Sequence, residues 1–416
     1  MSTLEESETG PLEGVRVIDL TEYIAGPYCT KLFADYGAEV LKIERPGTGD
    51  PSRNMPPFWH DKPDLEGSGL FLHLNTNKKS VTVDPATDAG RRVVLDLARD
   101  ADILVESYAP GAMASWGLDY AALRQVNPKL VMTSISNFGQ TGPYRDYRMT
   151  EITLYALGST MQVTGLPDRP PLKLGLTVEH VYAGMVSATA TMGALMGVAV
   201  NGEGQHVDMA LMEIQAGNQD RAVQGQMVYQ YVGGPTGGWA RNGGAGQGRN
   251  ILPVGVYPCA DGYVQFFTIQ PLWDRVCRMI DREDLIDDPH FTAPENFTNN
   301  PEVKAEFDAV LLGWLVQRTK REVMEKSQAN GYMCGAINTI EDVFSDPHLA
   351  ARGFFTEIDH PHVGALRYPG PQFRMSETAW RAGRAPLLGE HTIEVLTGLL
   401  GYDERRLAKL AEEAAI

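Results

Sequence analysis

The sequence has little with which to build a metal site, a disulfide frame or a membrane span. Only four cysteines occur in 416 residues, and Cys29, Cys259, Cys277 and Cys334 are too far apart to form a CxxC pair. They read as reduced, mostly buried thiols, neither a disulfide frame nor a zinc site. The nine histidines include one close pair, His360 and His362 in IDHPHVG, which reads as a surface turn and not as a ligand set. No run reaches the ~18 consecutive apolar residues that a bilayer span needs. The opening MSTLEESETGPLEG is acidic and polar, unlike a secretory signal, so the expected location is cytoplasmic. Positive charge is scarce as well: 36 Lys and Arg stand against 53 Asp and Glu, a formal net charge of −17. That balance argues against nucleic acid or a membrane as a main partner, while leaving room for one local basic pocket. Phosphate-binding glycine turns are also missing. No GxGxxG follows VRVIDL and no GxxxxGK[ST] occurs anywhere, so neither the usual dinucleotide fold nor a P-loop enzyme is expected.

What is present is a globular composition, 43% hydrophobic and 21% charged, long enough for a large core or two domains. The first 140 residues alternate strand and helix patterns: strand VRVIDL (15–20), helix GPYCTKLFADYG (26–37), strand AEVLKIE (38–44). VTVD (81–84), TDAGRRVVLDLARDA (87–101) and DILVES (102–107) repeat the pattern, and DYAALRQVNP (119–128) leads into KLVMTSIS (129–136). Such alternation predicts an α/β fold with an open parallel sheet, whose ligands sit at the carboxyl ends of the strands. That places TEYIAGP (21–27), ERPGTGDPSR (44–53), ESYAPG (106–111) and SNFGQTGPY (136–144) around the site. Beyond residue 200 a strand and a long helix are expected, then the glycine-rich WARNGGAGQGRN (239–250) and a hairpin around Asp261-Gly262. FFTEIDH and LRYPGPQF read as further strands before a helical C-terminus, and no repeat of fixed period is visible.

Taken in order, these segments resemble the family III CoA-transferases, the formyl-CoA transferase and carnitine CoA-transferase family. The matching stretches include PLEGVRVIDLTEYIAGPYCTKLFADYGAEVLKIERPGTGDPSR (11–53), LNTNKKSVTVD (74–84), ADILVESYAPGAM (101–113) and NPKLVMTSISNFGQTGPY (127–144). VTGLPDRPP (163–171), ADGYV (260–264) and RAPLLGEHT (384–392) extend it nearly end to end. The resemblance implies a Rossmann-like large domain built from residues 11–200 and 329–416, with a linker helix and small domain inserted over 201–328. It also implies ring-shaped subunits interlocked as a dimer. The implied substrates are an acyl-CoA and a carboxylic acid, with coenzyme A as the carried group and no metal, flavin or nicotinamide. In this family an aspartate attacks the thioester and forms a mixed anhydride, reactive enough to be opened by a thiolate or a carboxylate. A glycine-rich loop covers the site, and Gly243, Gly244, Ala245, Gly246 and Gln247 fit that loop.

The chain departs from the pattern where the chemistry is. Counted from VTGLPDRPP, the family's aspartate falls on His180, preceded by Glu179 in GLTVEHVYAG. An imidazole attacking a thioester would give an acyl-imidazole that hydrolyses readily; Glu179 has the right chemistry one residue away. The pair could equally be polar residues capping the helix that follows. Ala86 and Ser115 stand where many members carry a lysine and an arginine, two cations lost from the CoA site. Retained candidates are the turn Tyr23-Ile24-Ala25, Arg45 as an adenine or phosphate contact, Tyr108, Arg148, and Glu151, which matches a glutamate near the reaction centre. The related α-methylacyl-CoA racemases would need a histidine at Thr150 and an aspartate at His180, and neither is present. Three readings follow: a degenerate subunit partnered by a paralogous chain that bears the aspartate, a self-sufficient homodimer using Glu179, or an acyl-CoA-binding protein without turnover. Arg148, Arg241 and the stretch HDKPDLEG (60–67) are the groups that could receive a dicarboxylic acyl group such as succinyl.

Overall fold

Buried aliphatic runs build the inner strands of a six-stranded parallel sheet, as burial on both faces requires, while its edge strand His206–Ala210 is partly exposed. Its strands are β1 (Arg16–Leu20), β2 (Glu39–Glu44), β3 (Lys79–Thr82), β4 (Ile103–Glu106), β5 (Val131–Ser136) and β6 (His206–Ala210), in the order β3-β2-β1-β4-β5-β6. The structure, a computed structural model, describes residues 10–165, 169–217, 222–233 and 252–416. The glycine-rich stretch, with Gly243 to Gln247 and Arg241, lies outside the described residues. The chain divides into one unit of Met1–Thr160, Lys173–Asn218 and Ala350–Ile416, and a second of Met161–Leu172 and Gln219–Leu349.

In the first unit, helices alternate with the strands: α1 (Ala25–Asp35), α2 (Gly69–Leu74), α3 (Asp88–Ala98), α4 (Ala112–Ser115), α5 (Tyr120–Val126), α6 (Glu151–Leu157) and α7 (Val178–Asn201). Local chemistry sets several starts. Thr87 caps α3 by accepting the Gly90 N–H, and Asp119 caps α5 by accepting that of Ala122. One face of the sheet packs α1 and α7 through Val17, Cys29, Phe33, Ile135, Ala183 and Ala188. The other packs α3, α5 and the C-terminal helices Thr392–Gly398 and Glu404–Glu412 through Val93, Leu97, Leu123, Leu396 and Leu410. Each Val, Leu, Ile or Phe among them contributes roughly 1.5–3 kcal/mol when fully buried.

Two features tie this unit together around the strand ends. A Cβ on Gly184 of α7 would stand 2.6 Å from the Ala25 carbonyl oxygen, so the bare glycine lets α7 cross close over the start of α1. The second is the return of the chain. Arg53, fully buried, grips Glu44 with Nε and Nη2 at 2.7 and 2.9 Å, Glu66 with Nη1 at 2.7 Å, and the Pro386 carbonyl at 3.2 Å. Glu66 in turn accepts the Leu388 N–H at 2.9 Å, so the C-terminal segment is stitched to the stretch between Arg53 and Glu66.

The second unit has its own core of Phe266, Trp273, Phe297, Phe307, Leu311 and Tyr332. β7 (Gly255–Cys259) and β8 (Gly262–Phe266) form the hairpin expected around Asp261-Gly262, and β9 (Cys334–Ala336) pairs antiparallel with β8. Helices Pro301–Leu315 and Lys320–Ala329 cover it, the latter opened by a Thr319–Glu322 capping box.

Several sequence expectations change. The strand order is that of a dinucleotide fold although the glycine fingerprint is missing; the turn after β1 is made instead by Tyr23 at φ +76°. The long helix expected after β6 ends after Ala216, as α8 (Leu211–Ala216), with Gly217 as a helix stop, and α9 covers Ala222–Val232. His360 is not on a surface turn: it ends β10 (Phe355–His360), paired with β11 (Gly364–Pro369), and is 1% exposed. Strand alternation turns it inward two residues after Ile358. Among the described residues no cluster of ligating side chains fits a metal, and the four cysteines are free. One described helix, α7, is long and apolar enough to cross a bilayer. Its buried face packs on α1 and β5, while Met196 and Val200 are exposed.

Candidate active site

The order of the sheet reverses between β1 and β4, and a crevice at such a point, outside the strands' carboxyl ends, is where open α/β sheets bind ligands. A cavity of about 330 Å³ sits there. Its walls include Glu22, Tyr23, Ala25 and Gly26 after β1, Ser107 to Pro110 after β4, Ser136 and Asn137 at the end of β5, the run Arg145, Tyr147, Arg148 and Met149, and His180 from α7. The α1 N-terminus behind Ala25 has no side-chain cap, which leaves its first amides for a ligand.

A buried ionic ladder holds the turn that forms one wall. The Tyr23 N–H donates to Asp50 Oδ1 at 3.2 Å, and Asp50 pairs with Lys42 Nζ at 2.7 Å. Lys42 also donates to the Thr21 carbonyl at 3.0 Å, and Asp19 is 2.9 Å from Lys78 Nζ. Burial opposes ionisation of Asp19, but Lys42 and Lys78 outweigh it and hold the carboxyl at about 2. Burial pushes Lys78 down to about 8 against the pull of Asp19.

Opposite this turn, α7 begins at Val178, so Glu179 and His180 both fall in its first turn and diverge by about 100°. His180 lines the cavity, its ring meeting the edge of Tyr23 at 5.3 Å between centroids. Glu179, 4% exposed, is not among the lining residues. Glu151, the first residue of α6, lies behind them, with Oε1 4.0 Å from His180 Nδ1 and Oε2 3.3 Å from Lys173 Nζ. Three buried polar atoms here lack a hydrogen-bond partner: Glu151 Oε1, Glu179 Oε2 and His180 Nδ1. Three such groups gathered in one place need partners that a ligand or ordered water can supply. Burial, with Glu151 adding to it, raises the Glu179 carboxyl despite Lys173. Burial and then Lys173 push His180 down to about 4.

Of the residues expected from sequence, Tyr23, Ala25, Tyr108, Arg148 and His180 come together at the cavity. Ile24 does not; it is buried in a small core with Tyr28 and Leu74. Arg45 stands at the edge, its exposed guanidinium 3.0 Å from Glu22. In the HDKPDLEG stretch, Glu66 is committed to Arg53 and Asp64 pairs with His362 at 3.1 Å. Sequence reasoning missed Glu22, Ser107 and Arg145. Arg145 stands three residues before Arg148 in YRDYR, and its guanidinium leans over Gly111, 2.9 Å from where a Cβ would be. Among the described residues Arg148 has no carboxylate within 4.0 Å, and Arg145 reaches only Asp146 at 4.0 Å. Two arginines with little carboxylate pairing thus put positive charge on the wall of one cavity of an acidic protein.

The sequence profile of CoA-transferase family III matches residues 12–392. A succinate–glutarate CoA-transferase of Agrobacterium fabrum is 35% identical over 400 residues, covering 94% of this chain and 96% of that relative. A succinyl-CoA–D-citramalate CoA-transferase of Chloroflexus aurantiacus is 32% identical, covering 98% of both chains. A formyl-CoA:oxalate CoA-transferase of Bradyrhizobium diazoefficiens is 31% identical, again over 98% of both. Among solved structures, a CAIB/BAIF family protein from Brucella suis superposes with a TM-score of 0.81 at 30% identity, covering 94% of this chain and 100% of that one. Rv3272 from M. tuberculosis gives 0.74 at 27% identity, covering 93% and 99%. Matched by this family and these relatives along almost its whole length, and sharing the fold of the Brucella suis protein, the chain belongs to CoA-transferase family III and is a CoA-transferase.

Proposed function

We propose that this chain is the catalytically degenerate subunit of a heteromeric CoA-transferase, in which a homologous partner supplies the aspartate that His180 replaces. The assembly moves CoA from an acyl-CoA thioester to a free carboxylic acid. One observation carries this reading: the side chain presented to the cavity at the start of α7 is an imidazole, while the neighbouring carboxylate, Glu179, is buried away from it. A carboxylate can be joined to CoA and then release it to a second acid; an imidazole has no carbonyl carbon to carry CoA. Tyr23, Ala25, Tyr108, Arg148 and, at the rim, Arg45 would hold the acyl-CoA, and Gly243 to Gln247 would close over it. No step needs a metal, flavin or nicotinamide, and a cytoplasmic location suits the substrates. A large unit drawn from both ends of the chain, and the apolar Met196 and Val200 exposed on α7, support an interlocked ring-like dimer.

The acyl group fits a dicarboxylate, succinyl being the leading donor. Arg145 and Arg148 supply the positive charge, and each of the three relatives' names carries a dicarboxylic acid. Equal activity with butyryl-CoA would sink that assignment.

A second reading, a homodimer using Glu179 as nucleophile, is favoured by the buried, unpartnered Oε2 of that residue. Native mass spectrometry of the complex from its source cells separates the two. A homologous chain with aspartate at the position of His180 supports the heteromer. A homodimer with exchange activity that Glu179→Gln abolishes supports the second reading. Binding of acyl-CoA without exchange in any assembly refutes both.

A further inference from the structure

We propose that the cavity carries a second activity, hydrolysis of the acyl-CoA thioester, with the His180 imidazole as nucleophile and water as the final acceptor. This goes beyond CoA transfer and holds for either subunit arrangement, because every residue it uses belongs to this chain.

The orientation of the ring is the first reason. Nδ1 is the nitrogen turned toward Glu151 Oε1, 4.0 Å away, and both atoms are buried without a hydrogen-bond partner. A carboxylate on that side favours the tautomer with the proton on Nδ1, which leaves the Nε2 lone pair for the cavity. The imidazole is also in its reactive form at neutral pH, since burial and Lys173 hold it unprotonated down to about 4. The edge of Tyr23 fixes the ring plane from the opposite wall. An oriented neutral imidazole with a carboxylate behind it is equipped for acyl transfer.

The second reason is chemical. Nε2 adds to the acyl carbon, the C–S bond breaks, and CoA leaves as its thiolate, giving an acyl-imidazolium whose Nδ1–H faces Glu151. Loss of a proton to the thiolate releases CoA as the free thiol. Water then adds to the acyl-imidazole carbon, the C–N bond breaks, and the free acid leaves with the imidazole restored. The sum is thioester plus water to acid plus thiol, with no other reactant. Because the ring can hold the acyl group but not CoA, the acyl group is passed to water and not exchanged between acids.

The test uses the full-length chain in the assembly it forms, with succinyl-CoA and acetyl-CoA as probes and no acceptor acid. Thiol release is followed with a chromogenic disulfide, and the acid is collected from ¹⁸O-labelled water. Thiol and singly labelled acid are expected in equal amounts. His180→Ala and His180→Asn are expected to lower kcat at least about a hundredfold, with KM little changed. Glu151 acts here as a positioning residue. Glu151→Gln is expected to lower kcat about tenfold or more with KM unchanged, a split that loss of packing alone would not give. Added hydroxylamine should give hydroxamate faster with the wild type than in its direct reaction with the thioester in buffer, and no faster than in buffer with His180→Asn. Thiol release no faster than in buffer, or release undiminished in both His180 variants, overturns the proposal.

Discussion

Replacing Asp19 by alanine probes the ladder under the Tyr23 turn. The carboxylate is fully buried, 2.9 Å from Lys78 Nζ and 4.0 Å from Lys42 Nζ, and accepts from Thr30 Oγ1 at 2.7 Å and the Thr21 N–H at 3.0 Å. Asp50 still neutralises Lys42 in the variant, but the salt bridge to Lys78 is lost. Removing one partner of a buried pair costs about 3–5 kcal/mol. At roughly 2 °C per kcal/mol for a large domain, the unfolding midpoint falls by about 6–10 °C. Calorimetry of the purified protein reads this directly. Since the ladder also positions the Tyr23 amide, the KM for acyl-CoA should rise alongside. The pH dependence has a fixed sign. Although burial opposes ionisation, the two lysines hold Asp19 at about 2 against an ordinary 3.8, so its stabilisation is full above pH 3.8 and is lost as pH falls toward 2. The difference is worth about 2 kcal/mol. Adding Lys78→Met to Asp19→Leu removes the stranded charge and should recover much of the loss. A midpoint within 2 °C of wild type in Asp19→Ala, or no recovery in the double variant, would refute this account.

Two further perturbations discriminate binding from folding. Arg148→Ala removes a guanidinium with no carboxylate near it among the described residues. It should raise the KM for succinyl-CoA about 10- to 100-fold, the worth of a charged hydrogen bond, while leaving the unfolding midpoint unchanged; a drop of several degrees would show a structural role instead. Acid titration of stability provides the other. His180 is held at about 4 in the folded chain against 6.5 unfolded, so the unfolded state binds more protons between those values and stability falls as pH drops through that window. The effect is about 3 kcal/mol. His73, also held at about 4 by burial and then Lys31, contributes in the same direction, so His180→Ala should flatten the decline only in part.

The parallel sheet was legible because its buried strands are short apolar runs separated by helical spacing, and the hairpin because Asp261-Gly262 interrupts two alternating runs. The position of the cavity followed from the same pattern, since TEYIAGP and ESYAPG trail the two strands at which the order reverses. What the pattern did not contain was direction. Nothing in GLTVEHVYAG says that the helix begins at Val178, and that single fact decides that His180 meets the cavity while Glu179 is turned aside. Glu22 and Arg145 were overlooked for a related reason: a charged residue in a loop resembles any surface charge until the fold gathers it with others. Tyr23 hid a tight turn, because left-handed backbone is ordinarily read from glycine.

The close crossing at Gly184 has a further consequence. With no room between α7 and the Ala25 carbonyl, the half of the crevice formed by Tyr23, Ala25 and His180 behaves as an anvil. The facing stretch from Asn137 to Met149 is different in kind: it is a loop with an exposed Tyr144 and Tyr147 stacked on each other, tethered by the Gln140 N–H to Asp208 at 2.9 Å. A bulky thioester must therefore be admitted by yielding of the loop side alone. Differences in acyl-chain preference among variants of this protein should then be written in that loop, while changes at the crossing would blunt every substrate alike.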